Sequence, residues 1–114
     1  MDKKKIYLSL PMNAMPNDIG KRYMELCNYV DTLPKYKDYE KVGPVNIHNF
    51  IQDPNYMEKA LPYSYCMGKD IEHLIECDAI IMGRHWEIGP GCRVELAAAK
   101  VYNKDIIYQI YKNE

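Results

Sequence analysis

Of the four cysteines, Cys27, Cys66, Cys77 and Cys92, no two fall into a CxxC or CxxxC pair, and His48, His73 and His85 form neither an HxxxH nor an HxH. Zinc sites draw on such clustered ligands, so their absence argues against a metal centre, and no metal is expected. Positive charge is not concentrated either: 15 basic side chains face 16 acidic ones, and Lys3-Lys4-Lys5 is the one basic run. A nucleic-acid duplex or a membrane surface is therefore not the expected partner. The apolar run Ile6-Tyr7-Leu8-Ser9-Leu10 is too short for a signal-peptide core and no small-residue cleavage site follows it, so a cytoplasmic protein with reduced thiols is expected. Phenylalanine and tryptophan occur once each against 11 tyrosines. Tyrosine suits half-buried positions with a wet polar tip, as in a ligand cleft or subunit interface, though compositional drift accounts for the imbalance as well.

What remains is enough for one domain over residues 1–114, with a core burying roughly 65% of the unfolded surface. Residues 4 to 10 read as a first strand stopped by Pro11, and Asn17 or Asp18 can cap a following helix. From Ile19 to Leu33 the positions Ile19, Tyr23, Leu26, Cys27, Val30 and Leu33 recur at three- and four-residue steps, the mark of an amphipathic helix. The middle third gives only a weak strand around Val42 to Ile47 and a helical turn near Met57 to Leu61. Residues 67 to 77 then carry a helical face of Ile71, Leu74 and Ile75. Residues 78 to 83 are a continuous apolar strand of the kind buried in a parallel sheet. A helix over 91 to 103 and a last strand over 105 to 111 complete the pattern.

Strands alternating with helices imply βαβ units and a Rossmann-like, flavodoxin-like α/β fold, a doubly wound parallel sheet of four to five strands. Ligands in such sheets bind outside the carboxyl ends of the strands. That rule places Ser9, Pro11 and Met12, and residues 85 to 92, on the rim of one cleft.

Gly89-Pro90-Gly91, between a strand and a helix, can let a ligand approach and offer helix N–H groups to an anion, or be a plain turn. Glu95 lies in the first two turns of that helix, where the dipole favours an ionised carboxylate. It can be a nucleophile, a complement to the dipole, or a partner of Arg93 or Lys100. Asp70 is expected in the first turn of the preceding helix, with the same alternatives, and Asp78 reads as a cap. Tyr7 points into a helix layer or toward the cleft, and Trp86 is a stacking platform for a base or a core residue.

The segments "KKIYLSLPM", "KDIEHLIECDAIIM" and "GPGCRVELAAAKVYNKDI" resemble the nucleoside 2-deoxyribosyltransferase superfamily. Within it they look most like small bacterial and phage proteins alongside the deoxynucleoside-monophosphate N-glycosidases. The resemblance covers a little under half the chain. It implies a Rossmann-like sheet, a homodimer, no cofactor, and cleavage of an N-glycosidic bond through a covalent glycosyl-enzyme. It further implies Glu95 as nucleophile, Asp70 as the residue handling the sugar hydroxyl and leaving base, and Tyr7 as the residue orienting the nucleophile. Trp86 and Gly91 fit the tryptophan and small-residue loop of that branch. Two positions depart from the pattern. Leu10 stands where a glycine is usual, and Gly89 where a phosphate-binding serine is common, leaving the N–H groups of Gly89 and Gly91 as substitutes.

The leading expectation is therefore an N-glycosidase or deoxyribosyltransferase acting on a nucleoside or nucleoside monophosphate. Catalysis falls to Glu95, Asp70 and Tyr7, and substrate binding to Ser9, Pro11, Met12, Trp86, Gly89 and Gly91. The rival expectation is a non-catalytic sensor or sponge holding a nucleotide or nucleotide signal in the same cleft. A third is an interaction protein that keeps the fold without the site.

Overall fold

The computed structural model describes residues 3–11, 19–43 and 63–110. Four strands, β1 (Lys5–Ser9), β2 (Glu40–Val42), β3 (Ala79–Met82) and β4 (Asp105–Tyr108), form one sheet in the order β2-β1-β3-β4. All three pairings are parallel. Three α-helices lie among the described residues: α1 (Ile19–Asp31), α2 (Tyr63–Ile75) and α3 (Pro90–Val101). The expected Rossmann-like α/β architecture is thus present, with four strands.

The alternation of β1 and β3 determines the layers. Ile6 and Leu8 of β1 and Ala79 and Ile81 of β3 pack with Tyr23, Leu26 and Val30 of α1. Their neighbours Tyr7, Ile80 and Met82 pack with Leu74 of α2 and Cys92, Leu96 and Ala99 of α3. Side chains alternate faces along a strand, so a central strand covered on both sides must be apolar throughout. Each fully buried Ile or Leu here contributes about 1.5–3 kcal/mol.

Helix ends are held by specific contacts. At the end of α3, Asn103 takes a left-handed conformation (φ 57°). Lys104 N–H then reaches Ala99 O at 2.9 Å and Asn103 N–H reaches Lys100 O at 3.3 Å, a Schellman closure. The Lys104 ammonium donates to Ile75 O at 2.7 Å, placing a cation where α2 ends. Asp78, expected as a cap, instead accepts from the Lys5 N–H at 2.9 Å while its own N–H donates to Lys5 O at 2.8 Å. It registers β3 against β1.

Three boundaries differ from expectation. β4 ends at Tyr108, with Gln109 and Ile110 outside it, short of the expected residue 111. β2 spans Glu40–Val42, ahead of the segment 42 to 47, because its partner Lys5–Tyr7 fixes the register. α2 begins at Tyr63, a turn before the expected residue 67. The cap at Asn17 or Asp18 and the turn at 57 to 61 lie outside the described residues. No described helix is long and apolar enough to cross a membrane.

β1 and β2 lead the chain to one side and β3 and β4 to the other, so the order reverses between β1 and β3. The carboxyl ends of these two strands form the switch point where such sheets bind ligands. Gly83 keeps them in close contact there. Its N–H donates to Ser9 O at 2.8 Å, and a Cβ on it would stand 2.5 Å from Leu10 Cδ2 and 3.0 Å from Ser9 O.

Candidate active site

α3 presents Cys92, Glu95, Leu96 and Ala99 to the sheet, an inward stripe at three- and four-residue spacing. A glutamate in such a stripe loses its hydration, a cost of several kcal/mol unless partners replace the water. β1 supplies them. Tyr7 and Ser9 are two residues apart and share a face: the Tyr7 hydroxyl donates to Glu95 Oε2 at 2.8 Å and the Ser9 hydroxyl to Oε1 at 2.6 Å. Both donors are 0% exposed and Glu95 is 3% exposed.

Burial pushes the Glu95 carboxyl from 4.5 up to about 7; the Ser9 and Tyr7 hydrogen bonds pull it back, and the charge of Asp70 adds to the rise. The same group sees the Tyr7 phenol held well above its usual value, by burial first and then by Glu95 and Asp70. Tyr7 thus remains a neutral donor. The Cys92 thiol, one turn before Glu95 and within hydrogen-bonding reach of Ser9, is pushed up to about 12 by burial. Glu95 sits near neutrality and can hold or release a proton at physiological pH.

Asp70 is buried, 8% exposed, and lies just past the middle of α2, not in the first turn as expected, since the helix starts earlier. It is close enough for its charge to act on both Tyr7 and Glu95. The three residues expected to carry the chemistry converge at the sheet's switch point. The dipole account of Glu95 does not hold. With α3 starting at Pro90 the carboxyl lies beyond the first turn, where that field has faded, and burial outweighs it. Its oxygens are taken by Tyr7 and Ser9, not by Arg93 or Lys100.

The described residues among those expected to line the cleft lie around the start of α3 and the end of β1. Pro11 is buried against Gly89, where a Cβ would stand 3.1 Å from Pro11 Cβ and 3.3 Å from Cys92 Sγ. The N–H of Gly89 donates to Trp86 O at 3.0 Å and so is unavailable to a phosphate. Gly91, half-buried in the first turn of α3, keeps an N–H without an intrahelical acceptor. Trp86 opens a short 3₁₀ turn, Trp86–Ile88, behind left-handed His85, and its ring lies 5.8 Å from that of Tyr108 on β4. Met12 lies outside the described residues. The Ser9–Cys92 contact was missed at the level of sequence. Its signals were the two-residue step from Tyr7 and the three-residue step to Glu95. Among the described residues no group of three or more His, Cys, Asp or Glu side chains is placed to hold a metal ion.

Residues 4–108 match a family model described as a domain of unknown function, DUF4406. The chain belongs to this family. This DUF4406 chain is also similar to a solved structure, a 2-desoxiribosyltransferase from Leishmania mexicana, at 27% identity and a TM-score of 0.58. The alignment covers 92% of this chain and 63% of that one, so the DUF4406 domain spans less than two-thirds of that protein. No curated protein matches it in sequence. The likeness supports the superfamily resemblance carried by the three sequence segments.

Proposed function

We propose that the protein is a cytoplasmic N-glycosidase or deoxyribosyltransferase of nucleosides or their monophosphates, in the small bacterial and phage branch of that superfamily. The observation that carries the reading is Glu95 itself, a carboxylate set at a core position and held by two hydroxyls beside a second buried acid. In the proposed reaction an oxygen of ionised Glu95 attacks C1′ and forms a C–O bond as the C1′–N bond breaks. The bonding pair leaves with the base, whose nitrogen takes a proton from Asp70 or water. Water, or a nitrogen of a second base, then attacks C1′ and passes its proton to Asp70 or to the hydroxide left by the first step, as the C1′–O bond to Glu95 breaks and its electron pair returns to the carboxylate. Tyr7 keeps the carboxylate aimed throughout, and Pro11, Met12, Trp86, Gly89 and Gly91 shape the surroundings of the substrate.

A panel of deoxynucleosides and their monophosphates, assayed for free base, tests this. The expected result is base release that drops at least about a hundredfold in Glu95→Ala, with a glycosyl adduct on Glu95 detectable by mass spectrometry after acid quench. Equal cleavage by the variant, or no cleavage of any substrate, overturns it. The near-complete burial of Glu95, 3% exposed, favours a second reading, a sensor or sponge that holds a nucleotide intact. Recovery of unchanged ligand from a tight complex would select it.

The same reading carries a homodimer. The outward side of α3 offers apolar surface for one, with Val94 50% and Val101 72% exposed, seven residues apart on one face. Sedimentation showing a monomer at all concentrations would remove this part.

A further inference from the structure

Ser9 was expected at the cleft rim, touching substrate. It is instead fully buried, and its hydroxyl is spent on Glu95 at 2.6 Å, a length typical of a hydroxyl donating to an ionised oxygen. We propose that Ser9 is a positioning residue for Glu95: its hydroxyl, held on the rigid strand β1, fixes the rotation of the carboxylate and supplies the second hydrogen bond its charge requires. This rests on the reading of Glu95 as the reacting group.

One donor leaves a carboxylate free to turn about that single bond. Two donors from one rigid strand, each to a different oxygen, define its plane. Among the described residues, the groups that act on Glu95 bear on the same point. Tyr7 and Ser9 come from β1, Asp70 from α2 and Cys92 from the same helix. Asp70 opposes ionisation, and Tyr7 and Ser9 favour it. Cys92 stays a neutral thiol and is therefore a weak acceptor. The Ser9 proton is left for Glu95.

The test titrates the Glu95 carboxyl by ¹³C NMR in the full chain, assigned with Glu95→Gln, and in parallel follows the pH dependence of kcat/KM for base release. In Ser9→Ala the midpoint should rise by at least about one pH unit, a tenfold or greater gain in proton affinity. The acid limb of kcat/KM should move with it. Ser9→Thr keeps the donor and should restore the original midpoint. Should Ser9→Ala fail to fold, Ser9→Cys, a closer fit with a much weaker donor, should show the same upward move. An unchanged midpoint in Ser9→Ala or Ser9→Cys, or a Ser9→Thr midpoint displaced as far as theirs, overturns the proposal. A displaced midpoint in a protein that releases no base leaves the hold of Ser9 supported and overturns the proposed function alone.

Discussion

At the scale of single residues, the site is a balance between the cost of burying a carboxylate and the hydrogen bonds that offset it. Tyr7 is the clearest place to disturb that balance. Its hydroxyl favours ionised Glu95, so Tyr7→Phe should lift the carboxyl above about 7 and destabilise the fold more at pH 8 than at pH 5. The loss at pH 8 is expected near 1.5–3 kcal/mol, the worth of a hydrogen bond to a charged group. Urea unfolding at the two pH values measures it, and an equal loss at both would mean that Tyr7 does not see the charge. For the wild type, the proposed attack requires the ionised form, so kcat/KM should rise with pH through a midpoint near 7. A pH profile flat from 5.5 to 8.5 would speak against Glu95 as nucleophile. Little of this was legible in the sequence. Glu95, Asp70 and Tyr7 could be singled out because flanking segments resemble a family. That Glu95 would face the core depended on where α3 starts, and a one-residue change in that start turns a helical side chain by about 100°.

At the scale of elements, legibility followed the strength of the local pattern. β1, β3, α1 and α3 have apolar periodicity at one period, and their positions could be read within a residue or two. β2 could not, because Glu40 and Lys41 belong to an edge strand whose place is set by pairing with β1 and not by its own composition. α2 starts in a tyrosine-rich stretch behind Pro62 and contains Gly68, which obscured its first turn. Two positions show what the elements depend on. Asn103→Ala removes the short polar side chain that makes φ 57° tolerable for a residue with a Cβ and should cost about 1 kcal/mol, whereas Asn103→Gly should be neutral or slightly stabilising. Gly83→Ala would press on the Ser9 carbonyl and the Leu10 and Leu26 side chains. It should cost about 1–3 kcal/mol and, by parting β1 from β3, lengthen the hydrogen bonds to Glu95. Thermal unfolding of the three variants checks the order, and a tolerated Gly83→Ala would mean that the switch point yields more easily than the packing implies.

At the scale of the whole molecule, the buried carboxyl links global stability to pH. In the unfolded chain Glu95 titrates near 4.5 and in the folded one near 7. Below the lower value both states hold the proton and the group costs nothing. Between the two the folded chain holds a proton that the unfolded chain has released, so stability falls as pH rises. Above about 7 the penalty is complete, and it amounts to roughly 3 kcal/mol. Glu95→Gln removes the charge and keeps a shape that two rotatable hydroxyls can still satisfy, one donating and one accepting. The variant should therefore match wild type near pH 4.5 and exceed it by about 2–3 kcal/mol above pH 8, while losing the proposed activity. Asp70, whose charge acts on Glu95, is relieved of that repulsion in the variant and adds to the difference in the same direction, whereas the carboxylates that do not face Glu95 are common to both proteins and cancel. Urea unfolding of the pair at several pH values between 4.5 and 8.5 gives the curve directly. A difference that stays flat across that window would show that Glu95 is not held above its ordinary value in the fold. A more stable and inactive Glu95→Gln would mark the carboxylate as a residue kept for chemistry at the expense of the fold.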